Sequence, residues 1–132
     1  MRLGIDFGTS FSLPATAYLG QNIVLLPGGR YGIPSVFYYS EWDGVLIGEE
    51  AEEAGQGSDA KNLKREIKLE LNSTFTADGK AFTAKQIVGY ILNSVKQNAI
   101  EAAKTKLIDD HLDGVVISVP AAFEHNEKAF IR

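Results

Sequence analysis

Short apolar runs separated by turn residues open the chain and predict a β-meander. The runs cover residues 2–6, 11–19 and 23–26, with glycine, serine, threonine or asparagine between them. Pro14 lies within the second run and has no backbone N–H to donate to a sheet, so we expect a bulge or an edge there. The first quarter of the chain is therefore predicted to form three short strands.

An aromatic and β-branched run over residues 33–39 predicts a further strand. Asp43-Gly44 is a strong hairpin signal, and the apolar residues 45–47 are expected to form the return strand. Trp42 precedes the turn, and we interpret it as a residue that packs at the rim of the fold.

Helical patterns of unequal strength follow. Residues from 48 to about 55 are predicted to form a short helix, and Ser58 or Asp59 is expected to cap a second helix that ends near residue 69. The apolar stripe of this second helix, at i, i+4 and i+8, would be Leu63, Ile67 and Leu71. Residues 72–82 are interpreted as a small hairpin.

The clearest helix is predicted from about residue 84 to 106. Thr83 and Gln86 have the spacing of a capping box. Seven apolar residues share one face of this helix and are expected to face the core, namely Ile87, Val88, Ile91, Leu92, Val95, Ala99 and Ala102.

A continuous apolar run closes the pattern. Residues 115–119 predict a strand that is covered on both faces, and Pro120 is expected to end it. A further helix is predicted over residues 124–131.

Composition limits the class of protein. The 132 residues are 45% hydrophobic and 23% charged, which is typical of a globular domain, and the net charge of −4 argues against binding to nucleic acid. There is no cysteine, so disulfides and thiolate metal sites are excluded. No apolar run approaches the roughly 20 residues of a membrane span, and no signal-peptide pattern opens the chain, so we expect a cytoplasmic protein without membrane contact.

The sharpest chemical signal is the run from Gly4 to Ser10. A strand brings the Asp6 carboxylate to its carboxyl end, and Gly8, Thr9 and Ser10 follow as a turn. Glycine allows close approach of the backbone to phosphates, turn N–H groups bind anions, and Asp6 could hold Mg²⁺ through water. An ordinary hairpin turn would also suit these residues. The run matches neither a Walker loop nor a dinucleotide fingerprint.

Lys64-Arg65 is the second candidate. A lysine facing a terminal phosphate would neutralise charge and orient an attacking water. On the predicted helix the two side chains would diverge, so we expect one of them to face a site. A solvated basic turn with Lys61 and Lys68 is the alternative.

These motifs together resemble the actin-like ATPase superfamily, and within it the seventy-kilodalton heat-shock (DnaK-type) chaperones. The Gly4–Ser10 run resembles the first phosphate motif of that superfamily. Residues 33–36, 48–51, 64–65 and 116–123 resemble further chaperone segments in the same order.

The resemblance implies a fold and an activity. The fold would be α/β, the front lobe of an actin-like (ribonuclease H-like) ATPase. A mixed five-stranded-type sheet with flanking helices would come from residues 1–36 and 113–132, with a small inserted subdomain and long helix over about 37–112. The activity would be ATP binding and hydrolysis in a chaperone that acts on unfolded proteins with cochaperones, with roles in the stress response.

Site residues follow from the resemblance in the same way. Asp6 is expected on the Mg²⁺ side, with Gly8, Thr9 and Ser10 as the residues that bind the phosphates of ATP or ADP. Lys64 is expected to act with Asp6 in catalysis. The resemblance implies that Pro120 and Lys128 relay nucleotide state between domains.

The matching motifs cover the front lobe alone, so the chain is expected to be a fragment that is inactive by itself and could dimerise through its exposed lobe interface. Three alternatives remain open: an actin-like cell-shape protein, a sugar kinase of the same superfamily, and a catalytically degenerate scaffold. Phe11, which stands where the chaperones usually have asparagine, favours the last of these.

Overall fold

The computed structural model describes residues 1–26 and 32–118, apart from the side chain of Ser58. The described strands are β1 (Arg2–Phe7), β2 (Phe11–Tyr18), β3 (Gln21–Val24), β4 (Ile33–Pro34), β5 (Phe37–Ser40), β6 (Gly44–Ile47), β7 (Leu63–Lys64), β8 (Thr74–Ala77), β9 (Lys80–Thr83) and β10 (Gly114–Ser118). The helices are α1 (Glu49–Ala54) and α2 (Ala84–Thr105), with 3₁₀ segments at Gly57–Asn62 and Ile67–Leu69.

A mixed five-stranded sheet carries the amino-terminal part of the chain. The strand order is β10-β1-β2-β3, and β4 also pairs with β2. β1 and β10 are parallel, whereas β2 is antiparallel to β1, β3 and β4. The predicted α/β class with a mixed five-stranded sheet is confirmed.

Pro14 is accommodated inside β2 by a change of partner strand. The register with β1 runs through the Ile5–Pro14 pair without a bulge. On the other side of β2, β3 pairs with residues 15–18 and β4 pairs with Phe11 and Ser12, which leaves a local edge between them. The Pro14 carbonyl faces this edge and accepts a hydrogen bond from the Leu25 N–H at 2.9 Å. Since the N and C=O groups of one strand residue point to the same side, the missing N–H of Pro14 also falls at this edge.

Both predicted hairpins are confirmed. β5 pairs with β6 around the Asp43-Gly44 turn, and β8 pairs with β9 around the turn at Asp78-Gly79. Asp78 has a φ of 47° and Gly79 a φ of 75°, as a tight hairpin turn requires. The prediction that Trp42 packs at the rim is wrong, because its side chain is 94% exposed.

The helix predicted from residue 58 or 59 to about 69 is not formed. Leu63 and Lys64 instead pair with Tyr38 and Phe37 of β5, so their backbone groups serve a sheet. Glu66 has a φ of 56°, a left-handed conformation that ends any right-handed helix. The spacing of Leu63 and Ile67 predicted one apolar helix face. In the structure the two residues pack into different clusters.

α2 packs its predicted stripe into the main core. The Thr83 hydroxyl accepts from the Gln86 N–H at 3.1 Å, and the Gln86 side chain accepts from the Thr83 N–H at 2.8 Å, which confirms the capping box. The buried residues of α2 are Ala84, Ile87, Val88, Ile91, Val95, Ala99, Ala102 and Ala103, and Leu92 is partly buried. The same core contains Leu3, Ile5 and Phe7 of β1, so the sheet and the helix are joined by one apolar cluster.

β10 differs from its prediction. Val115 is 42% exposed and Val116 is 61% exposed, so the strand is not covered on both faces. Within the described sheet β10 pairs with β1 alone, which makes it an edge strand. No helix in the described part of the chain is both long and apolar enough to span a membrane.

Candidate functional site

β1 positions Asp6 by the alternation of its side chains. Leu3, Ile5 and Phe7 are buried, so Asp6 points away from the core and its carboxylate is exposed. The backbone of Asp6 pairs with Leu13 in β2 and, in parallel, with Ser118 in β10. The carboxylate therefore lies on a strand that is held on both sides, at its carboxyl end.

The turn after β1 fits tightly around Gly8. A Cβ at this position would lie 2.2 Å from the Phe11 carbonyl oxygen, so a side chain requires the turn to open. The far end of the turn is held to the segment after β4, because the Ser10 carbonyl accepts from the Ser35 N–H at 2.9 Å. The buried hydroxyls of Ser12 and Ser35 add a bond of 2.8 Å.

Thr9 and Ser10 open onto a cleft of about 230 Å³. Its wall is formed by Thr9, Ser10, Phe11, Pro34, Ser35, Val36, Glu52, Arg65 and Glu66. The Arg65 guanidinium forms an ion pair with Glu52 of α1 at 2.9 Å and remains about half exposed. The cleft thus combines the hydroxyl groups and one arginine, which suit an oxyanion, with two carboxylates that oppose it.

Lys64 lies on β7, not on a helix, and its ammonium forms an ion pair with Glu70 at 2.5 Å. It is absent from the described wall of the cleft, where Arg65 is present. Lys64 ends β7, and Arg65 follows directly outside the strand. The structure brings together Thr9, Ser10 and Arg65 at this cleft.

The sequence assigns no chemical role to Lys68, which enters only in the alternative interpretation of this segment as a solvated basic turn. Its side chain is buried, and its ammonium donates to the Phe7 carbonyl at 2.5 Å. Burial lowers the pKa of Lys68, and the nearby Asp6 carboxylate opposes that shift. Three other lysine or arginine residues lie within eight positions of Lys68, so sequence spacing gives no signal that singles it out.

The donor set around Asp6 limits how a metal could bind. Among the described residues, no group of three or more histidine, aspartate or glutamate side chains could hold a metal ion. One exposed carboxylate fits Mg²⁺ that keeps most of its water and is held largely by phosphate oxygens. Pro120 and Lys128, the expected relay residues, lie outside the described residues.

No protein-family model matches the chain. It shares 30% identity with chaperone protein DnaK of Cenarchaeum symbiosum, over 96% of this chain and 19% of that protein. It is 32% identical to chaperone protein HscA of Klebsiella pneumoniae strain 342, over 95% of this chain and 23% of that protein. Chaperone protein DnaK of Thermoplasma acidophilum is 29% identical over 96% of this chain.

The chain spans about a fifth of the length of the curated relatives that it matches. Identity near 30% that extends over almost the whole chain supports a distant relationship to the seventy-kilodalton heat-shock chaperones, the class to which DnaK and HscA belong.

Proposed function

We propose that this chain supplies part of the phosphate site of a chaperone-like protein that binds and hydrolyses ATP. The observation that carries the proposal is the turn after β1, where the exposed Asp6 carboxylate is followed by Gly8 in a turn that has no room for a Cβ. The similarity to DnaK and HscA supports the same reading at the level of the class.

The residues of the turn have separate roles in this proposal. Asp6 orients Mg²⁺ through water, and the metal would neutralise charge on the phosphates of ATP or ADP. The backbone at Gly8 approaches the phosphates closely, and Thr9 and Ser10 donate hydroxyl hydrogen bonds. Arg65, across the cleft, adds a bidentate donor for a phosphate oxygen once its bond to Glu52 is exchanged.

Lys64 is proposed to act on the hydrolytic water. Its ammonium would orient the attacking water and stabilise the charge that develops on the γ-phosphate. This role requires the Lys64 side chain to leave Glu70 when nucleotide binds. Pro120 and Lys128 are proposed to pass the nucleotide state to a substrate-binding region. Client proteins, cochaperones and a second copy of the lobe are the proposed partners.

The test uses the full-length protein and separates binding from hydrolysis. Lys64→Met should reduce ATP turnover by about 100-fold or more, as loss of one positioned hydrogen-bond donor does in other enzymes, while the Kd for Mg-ATP changes little. Lys106→Met, an exposed lysine after α2, is the matched control. Turnover that is equal in Lys64→Met and wild type would overturn the role of Lys64.

A catalytically degenerate scaffold is the second candidate, and Phe11 favours it. This side chain is 57% exposed and lines the cleft beside Thr9 and Ser10, where an apolar ring offers no hydrogen bond to phosphate. Saturable binding of Mg-ATP without measurable hydrolysis by the wild-type protein would select the scaffold. Hydrolysis that Phe11→Asn leaves unchanged would exclude it.

A further inference from the structure

Lys68 connects the second 3₁₀ segment to the end of β1. In the segment Ile67–Leu69, Ile67 packs in the main core and the Lys68 side chain contacts Phe7. The ammonium donates to the Phe7 carbonyl and lies 5.8 Å from the centre of the Phe7 ring. The Phe7 carbonyl belongs to the peptide bond that leads into Gly8, so the bond fixes the backbone where the turn begins.

The same ammonium balances the charge beside the proposed phosphate site. Asp6 precedes Phe7 and is close enough to Lys68 for their charges to interact. A carboxylate alone would repel the phosphates of a nucleotide. A buried cation such as Lys68 is screened by salt less than a surface lysine is.

From this geometry we propose that Lys68 is a positioning residue for the phosphate site. Its ammonium holds the peptide before Gly8 through the Phe7 carbonyl and offsets the charge of Asp6. The inference rests on the proposed function, and it adds a lysine that acts through Phe7 and Asp6 and not on the reacting atoms.

The experiment compares binding and stability in the full-length protein. Lys68→Gln keeps an N–H donor for the Phe7 carbonyl and removes the charge. The Kd for Mg-ATP, measured by isothermal titration calorimetry, should rise about tenfold, the scale of the difference between a hydrogen bond from a charged donor and one from a neutral donor. The denaturation midpoint should stay equal or rise, because an uncharged side chain is cheaper to bury. Lys106→Gln is the control for the loss of one positive charge.

A double mutant tests whether Lys68 acts through Asp6. In an Asp6→Asn background the charge that Lys68 offsets is gone, so adding Lys68→Gln should weaken binding less than it does in the wild type. A residue with a purely structural role would weaken binding equally in both backgrounds. If Lys68→Gln does not fold, Lys68→Met, which keeps an unbranched stem without the ammonium, takes its place.

The outcomes separate the two proposals. Wild-type protein that binds Mg-ATP, together with a Lys68→Gln variant of equal affinity, overturns the role of Lys68 and leaves the proposed function in place. Wild-type protein that binds no Mg-ATP overturns both. Unfolding of both the Gln and the Met variants would make Lys68 a structural residue and overturn the inference.

Discussion

At the scale of single residues, Gly8 is required for space and not for an unusual φ. Its missing Cβ would lie 2.2 Å from the Phe11 carbonyl oxygen, which belongs to the backbone and cannot turn aside as a side chain would. We therefore predict that Gly8→Ala destabilises the protein by about 1–3 kcal/mol, as overpacking does elsewhere, and weakens Mg-ATP binding. Urea denaturation and calorimetry measure the two effects.

Gly89 is the matched control for Gly8. It is exposed on α2, and a Cβ there would meet no atom within 4 Å. Gly89→Ala should raise the free energy of unfolding by about 0.5–1 kcal/mol, because alanine is the better helix former. Equal effects of the two substitutions would contradict the close fit of the turn around Gly8.

Asp78 is the residue at which acid sensitivity is expected. Its carboxylate accepts from the Glu41 N–H at 2.9 Å and from the Asn62 amide at 3.1 Å, and these bonds lower the pKa of Asp78. The carboxylate stabilises the fold above its unfolded pKa of about 4, and this contribution is lost as pH falls through the lower folded pKa. Asp113, whose pKa is lowered by the Met1 ammonium, adds to the same trend.

Asp78→Asn tests this assignment while it preserves the turn, since asparagine also tolerates a positive φ. Thermal unfolding between pH 7 and pH 3 should show a smaller acid-induced loss of Tm in the variant than in the wild type. Identical curves would show that Asp78 is not a source of the acid sensitivity.

At the scale of elements, α2 should depend measurably on its amino-terminal cap. Thr83→Ala removes the hydroxyl that accepts from Gln86 and should lower the free energy of unfolding by about 1 kcal/mol. Thr105→Ala, at the other end of α2, removes a hydroxyl that donates back to the Glu101 carbonyl within the same helix. This control should change stability less than Thr83→Ala, as followed by urea denaturation, and a larger effect would contradict the role of the cap.

The elements that the sequence predicts well carry their information locally. The capping box of α2, the Asp43-Gly44 turn and the alternation in β1 depend on neighbours within a few positions. The segment 59–69 does not, because Leu63 and Lys64 pair with β5, a strand more than 20 positions earlier. The apolar spacing within residues 59–69 matches a helix, and it holds no information about pairing with β5.

The candidate site also contains residues that local sequence predicts and residues that only the fold brings together. The turn at Gly8, Thr9 and Ser10 is predictable because its glycine and hydroxyl residues are consecutive. Arg65 reaches the cleft, and Lys68 reaches Phe7, only after the chain has folded back on β1. Sequence spacing therefore cannot predict that Lys68 is the lysine that contacts the end of β1.

At the scale of the whole molecule, one apolar core links the turn to the long helix. Phe7, the residue before Gly8, shares that core with Ile67, Ile87 and Ile91. A shift of α2 or of the second 3₁₀ segment would therefore displace Phe7 and the turn that follows it at the proposed phosphate site. This core is a physical connection between the proposed phosphate site and the long helix.

Calorimetric titration of the full-length protein with Mg-ATP tests whether the turn after β1 binds the phosphates, as proposed. We expect saturable binding that needs Mg²⁺, is at least about tenfold weaker in Asp6→Asn and in Gly8→Ala, and is unchanged in Gly89→Ala. Absence of binding by folded wild-type protein, or equal affinity in all of these variants, would contradict it.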